Sequence, residues 1–185
     1  MYNNVVEAVE EGFVLSGFST LRFNFRGVGD SEGAYDEGNG EVNDAIAACR
    51  FMRDLLGAGS RLVLAGYSFG AWVASRAAAR IQGLKDLFLV AYPFSRYEPS
   101  ELRAFEGRLY FVGGYYARGV QRLAVLYSDT AGRTWHQGAR SDDWSGCPVY
   151  VNTSRDLVSD GSVIGSFTAT SGGQTGVYFF RSAAV

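Results

Sequence analysis

The stretch that decides the fold is Gly66-Tyr67-Ser68-Phe69-Gly70, which follows the apolar run 62–65 and precedes the helix-forming segment 71–79. A strand that turns sharply into a helix through G-x-S-x-G is a nucleophile elbow, in which one serine hydroxyl stands clear of the backbone. The flanking glycines remove side chains that would collide in so tight a bend. The sequence therefore predicts Ser68 as a nucleophile, which also needs a base.

The composition indicates a globular protein. The 185 residues are 47% apolar and 19% charged, which allows one domain with a core or two small ones. The net charge of −2 gives no electrostatic reason to expect a nucleic-acid partner. No segment has the length of a membrane span, and the N-terminus lacks the features of a signal peptide, so we expect no membrane association. No motif predicts a cofactor or a metal site.

The two cysteines, Cys49 and Cys147, lie far apart in the sequence. Cys49 falls on the apolar face of a predicted helix, which favours a buried free thiol over a disulfide. This use of cysteine indicates a cytoplasmic setting.

The first part of the chain alternates helices with short strands. The pattern predicts a helix over 3–15, capped by Asn3 or Asn4, and a strand over Thr20–Phe25. Further elements are expected at 41–56 (helix), 61–65 (strand), 71–82 (helix), 87–90 (strand) and 108–112 (strand). Strands that alternate with helices at this spacing imply parallel crossovers, and therefore an α/β fold.

From residue 114 the pattern changes to strand-like segments separated by turns rich in Gly, Ser and Asp. They lie at 122–127, 148–152, 163–168 and 176–180, and they predict an antiparallel β-rich part. We place the boundary between Gly113 and Arg118, which gives a first domain over 1–113 and a second over 114–185.

The loop Phe23-Asn24-Phe25-Arg26-Gly27-Val28-Gly29-Asp30-Ser31-Glu32-Gly33, continued by Tyr35-Asp36 and Gly40-Glu41, resembles the α/β-hydrolase superfamily in its small bacterial serine hydrolases, as does the elbow. The resemblance covers residues 1–113 and implies a partial parallel sheet with flanking helices. It also implies that Ser68 is an acyl-transfer nucleophile, that the N–H of Phe69 is an oxyanion donor, and that the substrate is a small ester or amide.

The base and the acid are harder to assign. The one histidine, His136, follows Ser68 with Asp129 between them, which is the superfamily's order of nucleophile, acid and base. Only about nine residues separate Val112 from the strand at 122–127, too few for a parallel crossover, so these strands should form a hairpin that leads away from the elbow. The second oxyanion loop of the superfamily precedes the first helix, where this chain begins, so we expect incomplete catalytic machinery. The alternative is a non-catalytic chimeric or fusion protein of two incomplete, truncated modules, with a binding or structural role.

Residues 128–135, Ser-Asp-Thr-Ala-Gly-Arg-Thr-Trp, resemble the Asp-box turn of sialidase-type β-propeller blades, with Thr130 at the aspartate position. The resemblance implies part of a propeller blade in the second domain, packed on the sheet or extending it, and no catalysis by the turn itself. A carbohydrate-binding module is a third hypothesis, which rests on this likeness and on the aromatic residues.

Several acids follow the first predicted strand, and the pattern favours a solvated loop face over a metal site. The glycines of this loop do not have the G-x-G-x-x-G spacing of a phosphate loop. An exposed sheet edge, at the strand Leu21–Phe25 or in the β-rich part, would invite homo-oligomer formation. The acids that follow the first predicted strand are Asp30, Glu32, Asp36, Glu37 and Glu41.

Overall fold

A computed structural model gives the fold and describes residues 3–93, 96–97, 100–117, 120–130, 134, 136–140, 153–157, 163–171 and 174–181. The chain divides into two compact units. The first contains residues 21–111 and 127–135, and the second contains residues 2–20, 112–126 and 136–185. The elements in chain order are α1 (Asn4–Leu15), α2 (Asn39–Leu56), β1 (Leu62–Tyr67), α3 (Phe69–Ala78), β2 (Leu84–Val90), a 3-10 helix (Ser100–Ala104), β3 (Arg108–Ala117), β4 (Val120–Ser128), β5 (His136–Arg140), β6 (Thr153–Leu157), β7 (Val163–Ser171) and β8 (Gln174–Arg181).

The first unit is built on a β–α–β crossover. Strands β1 and β2 are parallel neighbours, with Tyr67 opposite Val90, and α3 connects them. Their sheet has five strands in the order β1-β2-β3-β4-β5, so β1 is at one end of the order of the described strands. Only two residues connect β3 to its neighbour β4, which is too short for a parallel crossover. The α/β fold and the β3–β4 hairpin are therefore confirmed.

The core of the first unit lies where α3 packs on the sheet. Small side chains of α3, such as Ala71, Ala74 and Ala77, are buried and let the helix approach β1 and β2 closely. The strands contribute larger buried residues, among them Leu87 and Leu109. Burial of this apolar surface is the main stabilising term, at about 25 cal/mol per Å² removed from water. This packing fixes the position at which β1 leads into α3.

The second unit contains α1 and an antiparallel sheet of β6, β7 and β8. The Asn3 side chain caps α1, because its Oδ1 accepts the N–H groups of Val5 and Val6 at 3.0 and 3.2 Å. The buried face of α1 includes Val5, Val9 and Phe13, and the helix packs on β6 and β7. The helix, its cap and the antiparallel character of this region are as predicted.

Two predicted strands differ from the structure or lie outside the described residues. The strand predicted over Thr20–Phe25 is wrong: these residues have no strand pairing, and Leu21 and Phe23 are exposed. Strand-forming composition is insufficient, because a strand also needs a neighbour for its backbone groups. The segment predicted at 148–152 lies outside the described residues.

The predicted boundary between Gly113 and Arg118 stays a prediction. In the structure, a segment of the first compact unit ends at Phe111 and a segment of the second begins at Val112, and the second unit also contains α1.

Within the described residues, no helix combines the length and the apolar composition that crossing a bilayer requires.

Candidate active site

Ser68 occupies a strained turn between β1 and α3. Its backbone has φ 52° and ψ −114°, a conformation that side-chain-bearing residues rarely adopt. The Ser68 N–H donates to the Val90 carbonyl at 2.9 Å, and the Ser68 carbonyl accepts the N–H of Ala71 at 3.0 Å. The turn is therefore held by β2 on one side and by the first turn of α3 on the other. Strain of this kind clusters at functional sites.

The two glycines of the elbow have different roles. A Cβ added to Gly66 would collide with the Gly70 carbonyl and would lie 2.7 Å from the Ala71 nitrogen. A Cβ added to Gly70 would meet only the Phe25 ring, at 4.0 Å. The expectation that both glycines prevent collisions is therefore correct for Gly66 and wrong for Gly70, which lies inside α3 with room for a methyl group.

Phe69 is the first residue of α3, so its N–H has no acceptor within the helix and carries part of the positive end of the helix dipole. The Phe69 ring lies among other aromatic rings, with centroids 5.9 Å from Phe25, 5.8 Å from Tyr35 and 5.6 Å from Trp72. Side chains on a helix lean toward its N-terminus, so the Phe69 and Trp72 side chains lean toward the end of α3 where Ser68 lies. The position suits an oxyanion donor next to an apolar surface.

An ion pair fastens the loop after residue 25 to α2. The Arg26 guanidinium donates to Asp44 from Nη2 at 2.8 Å and from Nε at 3.1 Å, and the Arg26 backbone N–H donates to the same carboxylate at 3.0 Å. These hydrogen bonds hold the pKa of Asp44 below its usual range. A Cβ on Gly40 would enter the Arg26 guanidinium, so glycine leaves the space that this side chain fills.

We expect this ion pair to make the stability depend on acid pH. Because the folded-state pKa of Asp44 is lowered, its contribution is complete above the ordinary aspartate pKa of about 3.9 and is lost as the pH falls below that value. Asp44→Asn should lower the thermal midpoint at pH 7, and the difference from wild type should shrink as the pH falls below about 3.9. Thermal unfolding of both proteins from pH 2 to 8 checks this, and a constant difference would contradict it.

Glu41 behaves differently from the other acids of the loop. Asp30, Glu32, Asp36 and Glu37 are exposed, as predicted for a solvated face. Glu41 is 1% exposed, and its carboxylate accepts the N–H of Asp36 at 2.9 Å and that of Gly38 at 2.8 Å. The prediction that all of these acids are solvated is therefore wrong for Glu41, which closes the loop onto the start of α2. Its three-residue spacing from Gly38 is the signal in the sequence for such a cap.

The other predicted site residues lie away from the elbow along the chain. Asp129 is exposed and follows β4, whereas His136 is exposed and begins β5, the last strand in the sheet order. Ser68 and Asp129 belong to the first compact unit and His136 to the second. Their roles as acid and base stay predictions. Within the described residues, no group of three or more His, Cys, Asp or Glu side chains is arranged to hold a metal ion.

The turn after β4 is organised by hydroxyl groups. Thr130 Oγ1 accepts the N–H of Thr134 at 2.8 Å and lies 2.6 Å from its hydroxyl. The buried Ser128 hydroxyl accepts the Thr130 N–H at 3.3 Å. Thr130 Oγ1 thus supplies the hydrogen-bond acceptor that an aspartate carboxylate would supply at this position. The resemblance of this turn to a β-propeller blade stays a prediction.

Cys49 is a free thiol, 5% exposed, on the buried face of α2, as predicted. Burial raises its pKa to about 11, so the thiol is protonated at neutral pH. Cys147 lies outside the described residues, and the cytoplasmic location stays a prediction.

We expect Cys49 to react with a thiol reagent such as iodoacetamide at least about 100-fold more slowly in the folded protein than in urea, because its thiolate is scarce and covered. Peptide mass spectrometry after timed labelling at pH 8 measures Cys49 separately from Cys147. Equal rates in the two states would contradict the burial of this thiol.

Comparisons with known proteins indicate the same family as the nucleophile elbow does. The alpha/beta hydrolase family model matches residues 4–173. An uncharacterised protein of Rickettsia prowazekii is 40% identical over 94 residues, which cover 50% of this chain and 39% of that protein. The chain thus spans less than half the length of the curated relative that it matches.

Two solved structures are also similar. An alpha-beta serine hydrolase homologue from Coxiella burnetii is 36% identical with a TM-score of 0.55, over 61% of this chain and 53% of that one. A serine hydrolase without a lid from Xanthomonas campestris is 39% identical with a TM-score of 0.51, over 54% of this chain and 45% of that one. With a family model that matches most of its length and an elbow of the expected geometry, the chain belongs to the alpha/beta hydrolase family.

Proposed function

We propose that this protein is a serine hydrolase that transfers the acyl group of a small ester or amide through Ser68. The observation that carries the proposal is the strained backbone of Ser68, placed between a parallel strand and the N-terminus of α3. A residue that bears a side chain adopts such a backbone at a steric cost, and a nucleophile elbow is a known reason for it. Similarity to serine hydrolases of two bacteria supports the same role.

In the proposed reaction, the Ser68 hydroxyl attacks the carbonyl carbon of the substrate while a base removes its proton. The carbonyl oxygen becomes an oxyanion, which the Phe69 N–H and the positive end of α3 stabilise. The proton then passes to the leaving alcohol or amine, and water hydrolyses the acyl-enzyme. We assign His136 as the base and Asp129 as the acid that orients it, since they follow Ser68 in that order.

The second candidate is a non-catalytic protein in which the elbow is retained without a working base. It is favoured by the order of strands in the sheet, in which Ser68 follows the first strand, β1, and His136 begins the last, β5. Without a general base, a serine hydroxyl is a weak nucleophile at neutral pH, and activity falls by orders of magnitude.

A fluorophosphonate probe separates the candidates, because it reacts covalently with an activated serine. The wild type, Ser68→Ala and His136→Ala are incubated with the probe, and the labelled peptide is identified by mass spectrometry. We expect Ser68→Ala to abolish labelling and His136→Ala to slow it by at least about 100-fold. Labelling that His136→Ala leaves intact would assign the base to another group, and a folded wild type that takes up no label would establish the non-catalytic candidate.

A further inference from the structure

The outer face of α2 carries an exposed apolar ridge, formed by Ala47, Phe51 and Leu55 and called the α2 ridge below. These residues are spaced four positions apart, so their side chains lie one above another along the helix. All three are exposed, and the exposed fractions of Phe51 and Leu55 are 56% and 65%. The opposite face, which includes Ala45 and Cys49, is packed into the core. The fold of one chain therefore leaves large apolar side chains of α2 in contact with solvent.

Two opposite charges flank the α2 ridge on the same side. Arg50 and Asp54 each directly precede a residue of the ridge, so they lie together on one flank, and both are exposed. Within the described residues, neither forms an ion pair, and a pair within one helix is weaker when the cation comes first. Asp54 also lies in the last turn of α2, where the negative end of the helix dipole opposes a carboxylate. A cation from outside the helix would therefore stabilise Asp54.

This surface is complementary to itself under two-fold symmetry. When a second copy of α2 lies antiparallel, with the symmetry axis level with Met52, the same flank of both helices meets. Arg50 of each copy then faces Asp54 of the other, which gives two ion pairs. Phe51 lies level with the groove between Phe51 and Leu55 of the second copy, so the ridge of one helix can pack into the groove of the other. The antiparallel direction also places opposite ends of the two helix dipoles side by side.

From this self-complementarity we propose that the α2 ridge docks on the α2 ridge of a second copy of this chain, as an antiparallel two-fold pair with reciprocal Arg50–Asp54 contacts. This docking does not depend on the role of Ser68, and it uses helix side chains rather than the backbone of a sheet edge. A surface of two to three helical turns is small beside the roughly 1,600 Å² that a standard interface buries. The pair should therefore be weak, with a dissociation constant on the order of 10–100 μM.

Leu55→Glu tests the apolar part of the interface, with Leu15→Glu as the matched control. Leu15 is 66% exposed at the end of α1, and Leu55 is 65% exposed near the end of α2. Sedimentation velocity of the full chain at about 5–500 μM measures the dissociation constant. We expect Leu55→Glu to raise it by at least about 30-fold and Leu15→Glu to leave it unchanged. A wild type that stays monomeric over this range, or equal effects of the two substitutions, would overturn the proposal.

Arg50→Glu and Asp54→Arg test the charge pairing. Either substitution alone places two pairs of like charges across the interface and should raise the dissociation constant by about tenfold. An equimolar mixture of the two variants should associate as tightly as wild type, because each copy then carries one sign of charge and faces the other sign. An ion pair within one helix cannot produce this rescue.

The same variants also report the direction of the helices. In a parallel pair, Arg50 would face Arg50 and Asp54 would face Asp54 in the wild type, so a single reversal would not weaken association. Single variants that dimerise as well as wild type, or a mixture that stays as weak as its components, would show that the antiparallel pairing is wrong.

Discussion

Gly66→Ala is expected to lower the free energy of unfolding by about 3 kcal/mol or more, and to abolish any reaction at Ser68. The added methyl group would collide with the Gly70 carbonyl and come within 2.7 Å of the Ala71 nitrogen. These are backbone atoms in the first turn of α3, so they cannot rotate away as a side chain could. Relief of the collision would separate β1 from α3 and open the elbow. Urea denaturation, with the midpoint and slope compared to wild type, measures the loss.

Gly70→Ala is the matched control, since it makes the same chemical change four residues along. Its methyl group would meet only the Phe25 ring at 4.0 Å, and alanine is favoured over glycine inside a helix. We expect a stability equal to that of wild type or higher by up to about 1 kcal/mol. Equal destabilisation by the two substitutions would contradict the distinction that the structure makes between these glycines.

Asp86→Ala is expected to lower the free energy of unfolding by about 2–3 kcal/mol. The Asp86 side chain is 1% exposed and is bound twice by Arg61, from Nε at 2.7 Å and from Nη2 at 2.9 Å. Arg108 contacts the same carboxylate at 3.4 Å. Arg61 precedes β1, Asp86 lies in β2 and Arg108 begins β3, so one buried carboxylate connects three strands. Its removal leaves two arginines without their shared partner.

Comparison of the two arginines gives the control. Arg61→Ala removes the bidentate partner of a buried carboxylate, so it should cost nearly as much as Asp86→Ala. Arg108 is half exposed and forms the longer contact, so Arg108→Ala should cost less than about 1 kcal/mol. Chemical denaturation of the variants at pH 7 establishes the order. A larger loss from Arg108→Ala than from Arg61→Ala would show that the carboxylate is held in another way.

Local elements of this protein were predictable from short stretches of sequence. The cap at Asn3 and the apolar face of α1 depend on neighbours three to four positions apart, and both are found in the structure. The elbow was predictable for the same reason, because a strand, a tight turn and a helix follow one another directly. The prediction of a strand over Thr20–Phe25 failed because these residues have the composition of a strand, whereas strand pairing also requires a neighbouring strand.

Contacts between distant residues could not be predicted in this way. Arg26 and Asp44 are 18 positions apart and Arg61 and Asp86 are 25 apart, and nothing in their local sequence marks them as partners. The left-handed backbone of Ala91 has no sequence signal either, because alanine is not a residue that favours such a turn.

Short stretches of sequence are enough to predict α1, α2, the β1–α3–β2 crossover and the nucleophile elbow, because periodicity, capping and turn chemistry act over a few residues. Which arginine binds the buried Asp86 carboxylate, and which strand end binds Ser68, follow only from the folded structure. Each of these contacts joins segments that are distant in the sequence, and their separation is set when the strands pair and α3 packs on the sheet.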